Sequence, residues 1–295
     1  MNFPEFINLS EVGPRDGLMT AKRKLPAKEK AFLIDSAVDA GFKTIEFGAF
    51  VSIKNMNNLD DTGEVYNLIN RKDDVQYRAL VTYPDDIRNA ASSGVSLVKI
   101  SMFASERVGG RPIEETMEIL DESCKTANHL NIDVLGSISL PFIAPNEGVI
   151  PIEIVDSLVS HFIAGGIKTI SLGDAGGLAN PKLVYERALY LQEKYPEVEW
   201  ILHLHDTWGM GYSNMIAGLD AGIVNFDVSF AGLGGCPFIK GARGNIASEQ
   251  TVFMMEQMGI KTGIDLEKIT TLAKHVLELD LGASSSAYLK IFSDS

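Results

Sequence analysis

One short pattern recurs along this chain and constrains its fold more than any other feature. A glycine ends a helical stretch, and a short strand rich in β-branched residues follows at once. Ala40-Gly41 precedes Lys43–Phe47, Ser93-Gly94 precedes Ser96–Ser101, Gly165-Gly166 precedes Lys168–Leu172, and Ala221-Gly222 precedes Val224–Val228. Strand candidates between these are Tyr77–Val81, Asp133–Ile138 and Trp200–Leu204, and Phe6–Ser10 brings the count to eight. The intervening segments have helical periodicity. In Ala27–Ala40 the apolar residues Phe32, Leu33, Ala37 and Val38 fall at helical spacing among Lys28, Glu29, Lys30 and Asp35, and Ile154–Ala164 and Lys182–Lys194 read the same way. Strict alternation of strand and helix predicts an α/β protein with a parallel sheet and helices outside it. Eight units favour a closed (β/α)8 TIM barrel. An open doubly wound sheet is the structural alternative, but no glycine-rich dinucleotide fingerprint follows the first strand.

Nothing in the sequence marks a domain boundary. The expectation is one catalytic domain over residues 1–295, with the barrel at about 5–262 and a C-terminal helical extension at about 263–295, helical over Leu266–Leu279 and Ser-rich at its end. A single α/β barrel commonly runs to about 250 residues, so the 295 residues fit. The net charge of -13 argues against non-specific binding to nucleic acid or to an anionic membrane surface. No stretch of about 18 apolar residues is present, which predicts no transmembrane helix. Cys124 and Cys236 are the only cysteines, too few for a disulfide framework, and with no leader-like N-terminus the reading is a cytoplasmic protein.

In a barrel of this kind the chemistry sits at the C-terminal ends of the strands. That rule selects Glu11-Val-Gly-Pro-Arg15-Asp16-Gly17 after the first strand, Glu46 on the second, Asp174 after the sixth, His203-Leu-His205-Asp206 on the seventh, and a glycine-rich run from Ala231 to Asn245 after the eighth. His203 and His205 are two apart, so on a strand both imidazoles project to one face. With a nearby carboxylate they make a candidate site for Mg²⁺, Mn²⁺ or Zn²⁺. The competing reading is that one is a satisfied core histidine. Arg15-Asp16 also reads as an ion pair in a turn, and Glu46 points inward or outward depending on a register that sequence does not fix. Cys236 is either an inert small residue or a thiol delivered to a substrate by a loop of glycines.

Glu11-Val-Gly-Pro-Arg-Asp-Gly-Leu18, Phe50-Val-Ser52, His203-Leu-His-Asp206 and Ala231-Gly-Leu-Gly-Gly-Cys-Pro237 with Gly244-Asn245 resemble the 3-hydroxy-3-methylglutaryl-CoA lyases. The similarity runs from about residue 5 to about residue 270. The Arg-Asp and His-x-His elements are shared with the wider group of isopropylmalate and homocitrate synthases and 4-hydroxy-2-oxovalerate aldolases, whereas Gly-Leu-Gly-Gly-Cys-Pro belongs to the lyase branch. The resemblance implies divalent-metal-dependent retro-Claisen cleavage of an acyl-CoA. It implies Asp16, His203, His205 and Asn245 as metal ligands, and Arg15, Asp16, Glu46, His203 and Cys236 as the catalytic set. Arg15 would hold the thioester carbonyl, Asp16 or a metal-bound group would take the hydroxyl proton, and Cys236 would protonate the released enolate. A homodimer is also implied. Lys22, Arg23, Lys24, Lys240 and Arg243 are candidates for the phosphates of coenzyme A, though each alone reads as surface charge.

The chain departs from the lyase pattern at Met19, Gly48-Ala49, Leu140–Gly148 and Ala175-Gly176, where polar groups are lost. The acyl group could therefore differ from methylglutaryl, since a site that hydrogen-bonds a substrate group discriminates against its absence. A Claisen synthase or oxo-acid aldolase on the same scaffold, and a catalytically silent metal-binding barrel, are the rival readings.

Overall fold

The computed structural model describes residues 3–51, 58–235, 243–283 and 286–293. In chain order its strands are β1 (Asn8–Glu11), β2 (Thr44–Ala49), β3 (Gln76–Val81), β4 (Leu97–Phe103), β5 (Asp133–Ser139), β6 (Ile143–Ala144), β7 (Gly148–Val149), β8 (Thr169–Asp174), β9 (Glu199–Leu204) and β10 (Asn225–Val228). Eight of them close into a parallel barrel in the order β1-β10-β9-β8-β5-β4-β3-β2, and β6 and β7 form a separate antiparallel hairpin. The (β/α)8 barrel expected from the repeat is therefore the fold, and the hairpin is an addition that the repeat did not signal. The helices are α1 (Ala27–Asp39), α2 (Thr62–Leu68), α3 (Pro84–Ser92), α4 (Glu106–Gly109), α5 (Ile113–His129), α6 (Ile152–Ala164), α7 (Pro181–Lys194), α8 (Gly211–Asp220), α9 (Ser248–Gln257), α10 (Leu266–Glu278) and α11 (Ala287–Ser293). The C-terminal segment packs on the barrel's helices, α10 against α1 and α9 and α11 against α9.

The recurring glycine has a single physical cause. Gly41, Gly94, Gly166 and Gly222 all have positive φ, between 81° and 116°. At each one the helix closes with a paired backbone cap, as where Phe42 N–H bonds Ala37 O at 3.3 Å and Gly41 N–H bonds Val38 O at 3.0 Å. The residue after each glycine (Phe42, Val95, Ile167 or Ile223) is buried and starts the run into the next strand. Asn131 (φ 52°) makes the same cap before β5, with Ile132 as its buried apolar residue. Asparagine tolerates the left-handed region well enough to replace glycine there.

The helix α1 buries Leu33, Ile34, Ala37 and Val38 against the barrel, but Phe32 does not join that stripe. It is 55% exposed and meets the ring of His275 edge-on. A neighbour one position away lies about 100° around the helix, enough to turn a side chain from core to solvent.

Candidate active site

Directly after β1 the chain makes one wide helical turn, in which the N–H groups of Arg15, Asp16 and Gly17 all point at Val12 O. The turn buries Arg15 and Asp16 at 6% and 5% exposure, so the pair is not a solvated ion pair. Gly13 is required beside it, because a Cβ there would lie 2.6 Å from the Phe230 ring. The backbone N–H groups of Gly13 and Phe230 bond Glu11 Oε1 at 2.8 and 3.1 Å, and Ser248 Oγ bonds Oε2 at 2.6 Å. Burial pushes the Glu11 carboxyl up to about 8 despite those donors.

His203 and His205 lie at and just beyond the end of β9, both buried and on the same side. Their Nε2 atoms are 3.1 Å apart, and Asp16 Oδ2 is 3.5 Å from His205 Nε2 and 3.9 Å from His203 Nε2. Asn245 reaches the same point because its segment pairs with the end of β9 through a bridge to His205, flanked by Asp206 N–H to Gly244 O at 2.9 Å and Ile246 N–H to Leu204 O at 3.1 Å. Gly234 leaves room for it, since a Cβ at that residue would sit 2.7 Å from Asn245 Nδ2. That amide nitrogen donates to Asp16 Oδ2 at 2.8 Å and Leu233 O at 3.1 Å, which turns Oδ1 the other way.

These groups fit a divalent cation. Asp16, His203 and His205 offer ligand atoms within 4.8 Å of one another. Asn245 Oδ1 and His205 Nδ1 are buried with no hydrogen-bond partner among the described residues. At 3.1 Å the two Nε2 atoms are close enough to share one N–H, or to turn two lone pairs toward a single cation beside the carboxylate. Two nitrogens and the Asp16 oxygen suit Mg²⁺, Mn²⁺ or Zn²⁺ without deciding among them, and the Asn245 amide has to turn over to add its Oδ1.

Below this point the barrel interior carries three cations and three carboxylates. Arg15 bonds Asp16 Oδ1 from Nη1 at 2.7 Å and contacts Glu46 through Nε and Nη2. Glu46 faces inward, which resolves its register, and its Oε2 also accepts from Arg78 Nε at 2.9 Å and Lys99 Nζ at 3.0 Å. Asp227 accepts from Arg78 Nη2 at 2.6 Å and Lys99 Nζ at 3.2 Å. Burial alone would raise these acids, but their cationic neighbours reverse it. Arg15 and the two histidines hold Asp16 well below the usual carboxylate range, and Arg15, Lys99 and Arg78 lower Glu46. Burial lowers His203 despite Asp227 and Asp16, which favours the neutral ring.

Several sequence candidates fall elsewhere. Asp174 is buried and accepts from the N–H groups of Leu178 and Ala179 at 3.0 and 3.1 Å, so it shapes the loop before α7, and burial raises its carboxyl to about 6. Lys22 pairs with Asp280, Lys24 with Asp60, and Arg23 bonds Leu279 O, ties that join this loop to its neighbours at the surface. Cys236 and Lys240 lie outside the described residues. Gly48 does not line the mouth, because its Cβ would strike the Thr62 side chain of α2 at 2.6 Å. Met19 and Ala49 do share one environment, a small apolar cluster with Val51, Leu59 and Leu80 beside the turn that carries Asp16.

The chain is similar to known proteins over most of its length. The HMGL-like family profile matches residues 6–276. The chain belongs to the HMGL-like family. It is 36% identical to the hydroxymethylglutaryl-CoA lyase YngG of Bacillus subtilis over the whole of both chains, and 35% identical to the mitochondrial enzyme of Gallus gallus over 90% of this chain and 91% of that one. An HMG-CoA lyase from Acinetobacter baumannii, solved in complex with coenzyme A and 3-methylmalate, superposes with a TM-score of 0.91 at 33% identity, covering 98% of this chain and 96% of that one. As a member of this family of carbon–carbon lyases, the chain carries the Arg-Asp turn, the paired histidines and Asn245 together at one end of its barrel.

Proposed function

We propose that this protein cleaves 3-hydroxy-3-methylglutaryl-CoA to acetyl-CoA and acetoacetate. The observation that carries the reading is the convergence of Asp16, His203, His205 and Asn245 beside a buried arginine, in a chain of this family. Those four residues would hold a divalent cation, which when bound acidifies the tertiary hydroxyl of the substrate and polarises its oxygen. Asp16 is a weak base, because Arg15 keeps its pKa low, so it can take the hydroxyl proton only from a group already acidified. As that proton leaves, the bond between the thioester's α-carbon and the carbinol carbon breaks. The carbinol carbon becomes the ketone of acetoacetate, and the electron pair moves onto the thioester as an enolate. Arg15, fixed by Asp16 and Glu46, supplies positive charge to that oxygen. Cys236 would give the α-carbon its proton and complete acetyl-CoA.

Glu46 orients Arg15 in this scheme rather than touching substrate. The chain would act as one catalytic unit over residues 1–295, barrel and C-terminal extension together, as a homodimer. The sparse cysteines favour a reducing compartment, the cytoplasm in this reading, although the Gallus gallus relative is named mitochondrial. Among the described residues no helix is long and apolar enough to cross a membrane.

A second reading keeps the chemistry and changes the acyl group. The apolar surroundings of Met19 and Ala49, which cluster with Val51 near the Asp16 turn, support it, since they suit a substituent larger and more apolar than methyl. The test is release of acetyl-CoA and acetoacetate from 3-hydroxy-3-methylglutaryl-CoA with Mg²⁺ or Mn²⁺, and again with a chelator. Metal-dependent release supports the first reading. No turnover by protein that binds metal, with turnover of another 3-hydroxy acyl-CoA, supports the second.

A further inference from the structure

The two carboxylates at the centre of the barrel share Arg78 and Lys99 but differ in what else they touch. Glu46 reaches Arg15, whereas Asp227 reaches a ring nitrogen of His203. We propose that Asp227 is a positioning residue that locks His203 in the tautomer with its proton on Nδ1, so that Nε2 is bare and faces Asp16 and His205. The proposal rests on the metal-centre reading above and assigns the element that prepares this ligand.

The geometry leaves little choice. Asp227 on β10 and His203 on β9 are register partners in adjacent strands, so both side chains enter the barrel side by side. Asp227 Oδ2 lies 3.2 Å from His203 Nδ1. The carboxylate is fully buried, and Arg78 Nη2 holds its other oxygen at 2.6 Å while Lys99 Nζ stands 3.2 Å from Oδ2. It cannot rotate without giving up those bonds. An ionised carboxylate only accepts, so the nitrogen facing it must carry hydrogen, and in a neutral ring the other nitrogen then carries a lone pair. That lone pair points where His205 Nε2 and Asp16 Oδ2 converge. A histidine ligand whose second nitrogen is held by a carboxylate is oriented before the cation arrives. Among the described residues no comparable partner holds His205, whose Nδ1 is buried without a bond. One of the two histidines is thus fixed by the protein, and the other is left to be oriented at the site.

The test uses the full chain, free of metal. Ring ¹⁵N spectra of the wild type should show His203 protonated at Nδ1 and bare at Nε2, a readout that needs no variant. Asp227→Asn should lose that single tautomer and bind Mn²⁺ about 10- to 100-fold more weakly by titration calorimetry. Lys30→Met, which strips a buried cation from Asp61 and touches neither Asp227 nor the histidines, should lower thermal stability while leaving the tautomer and the Mn²⁺ affinity in place. A wild-type His203 protonated at Nε2 overturns the proposal. So does an Asp227→Asn protein that melts earlier yet keeps the tautomer and wild-type Mn²⁺ affinity, because Asp227 would then be only a counter-ion for Arg78 and Lys99. Wild-type protein that binds no Mn²⁺ but shows the predicted tautomer would instead remove the metal-centre reading and keep the hold of Asp227 on His203.

Discussion

The two ends of this barrel pose the same problem to a sequence and solve it differently. At the N-terminal mouth a cavity of about 770 Å³ is lined by strand beginnings such as Asn8, Gln76, Asp133 and Glu199. Apart from Arg78, which points into the barrel, its charges are solvated. Lys43 meets Asp74 at 2.5 Å and Lys72 meets Asp39 at 2.7 Å, with most of these side chains open to water. At the C-terminal end Arg15, Asp16, His203, His205 and Asn245 are all nearly or fully buried and within reach of one another. Void volume therefore does not locate the chemistry. Charged groups taken out of water do, because their desolvation is tolerated only where they hold one another or a ligand in place.

The contrast can be broken by substitution. Arg15→Met should lower kcat about 10³-fold, as loss of an enolate-stabilising donor does, while protein still binds Mn²⁺. Arg71→Met at the opposite mouth should leave kcat unchanged, and a steady-state comparison of the two variants checks both expectations.

Stability should divide along the same line. Arg78→Met strips a buried cation from both Glu46 and Asp227, and denaturant unfolding should show a loss of about 3–5 kcal/mol. Lys43→Met, whose partner is open to solvent, should leave the unfolding midpoint in place.

A third expectation concerns pH. The Glu11 carboxyl, held under the Arg15-Asp16 turn, is raised from 4.5 to about 8. The folded state therefore keeps a proton that the unfolded chain releases. The contribution is full below about pH 4.5 and is lost as pH rises through about 8. Melting temperatures between pH 5 and pH 8 should fall, and Glu11→Gln, which keeps an acceptor for Gly13 and Phe230, should flatten that slope. A smaller effect is expected at Gly48, where serine would press on Thr62 and cost about 1–3 kcal/mol by urea titration. Wild-type stability in Gly48→Ser would return this position to the substrate pocket.

Much of this was legible before any coordinates. The glycine-strand repeat carries the fold because a left-handed cap and a buried apolar residue recur at a fixed place in each unit, and a local rule of that kind survives without tertiary information. The histidine pair is legible for the same reason, since a two-residue period on a strand needs no partner to be read. Arg78, Lys99 and Asp227 do not stand out in the sequence. Their only signal is a single charge flanked by apolar residues, as in Tyr77-Arg78-Ala79, Val98-Lys99-Ile100 and Phe226-Asp227-Val228. Alone, each reads as an outward-facing position, and only the closed barrel sets three of them against Glu46. Sequence leaves the inward register of Glu46 undetermined for the same reason, and Phe32 beside Leu33 shows that one position around a helix separates solvent from core.

The most direct test of the account is the location of the cation itself. Crystals grown with Mn²⁺ and measured at an energy where manganese scatters anomalously should show one strong peak per chain, bounded by Asp16, His203, His205 and Asn245. A strong peak elsewhere with that point empty, or no peak in protein that turns over its substrate, would contradict a metal centre at the C-terminal end of the barrel.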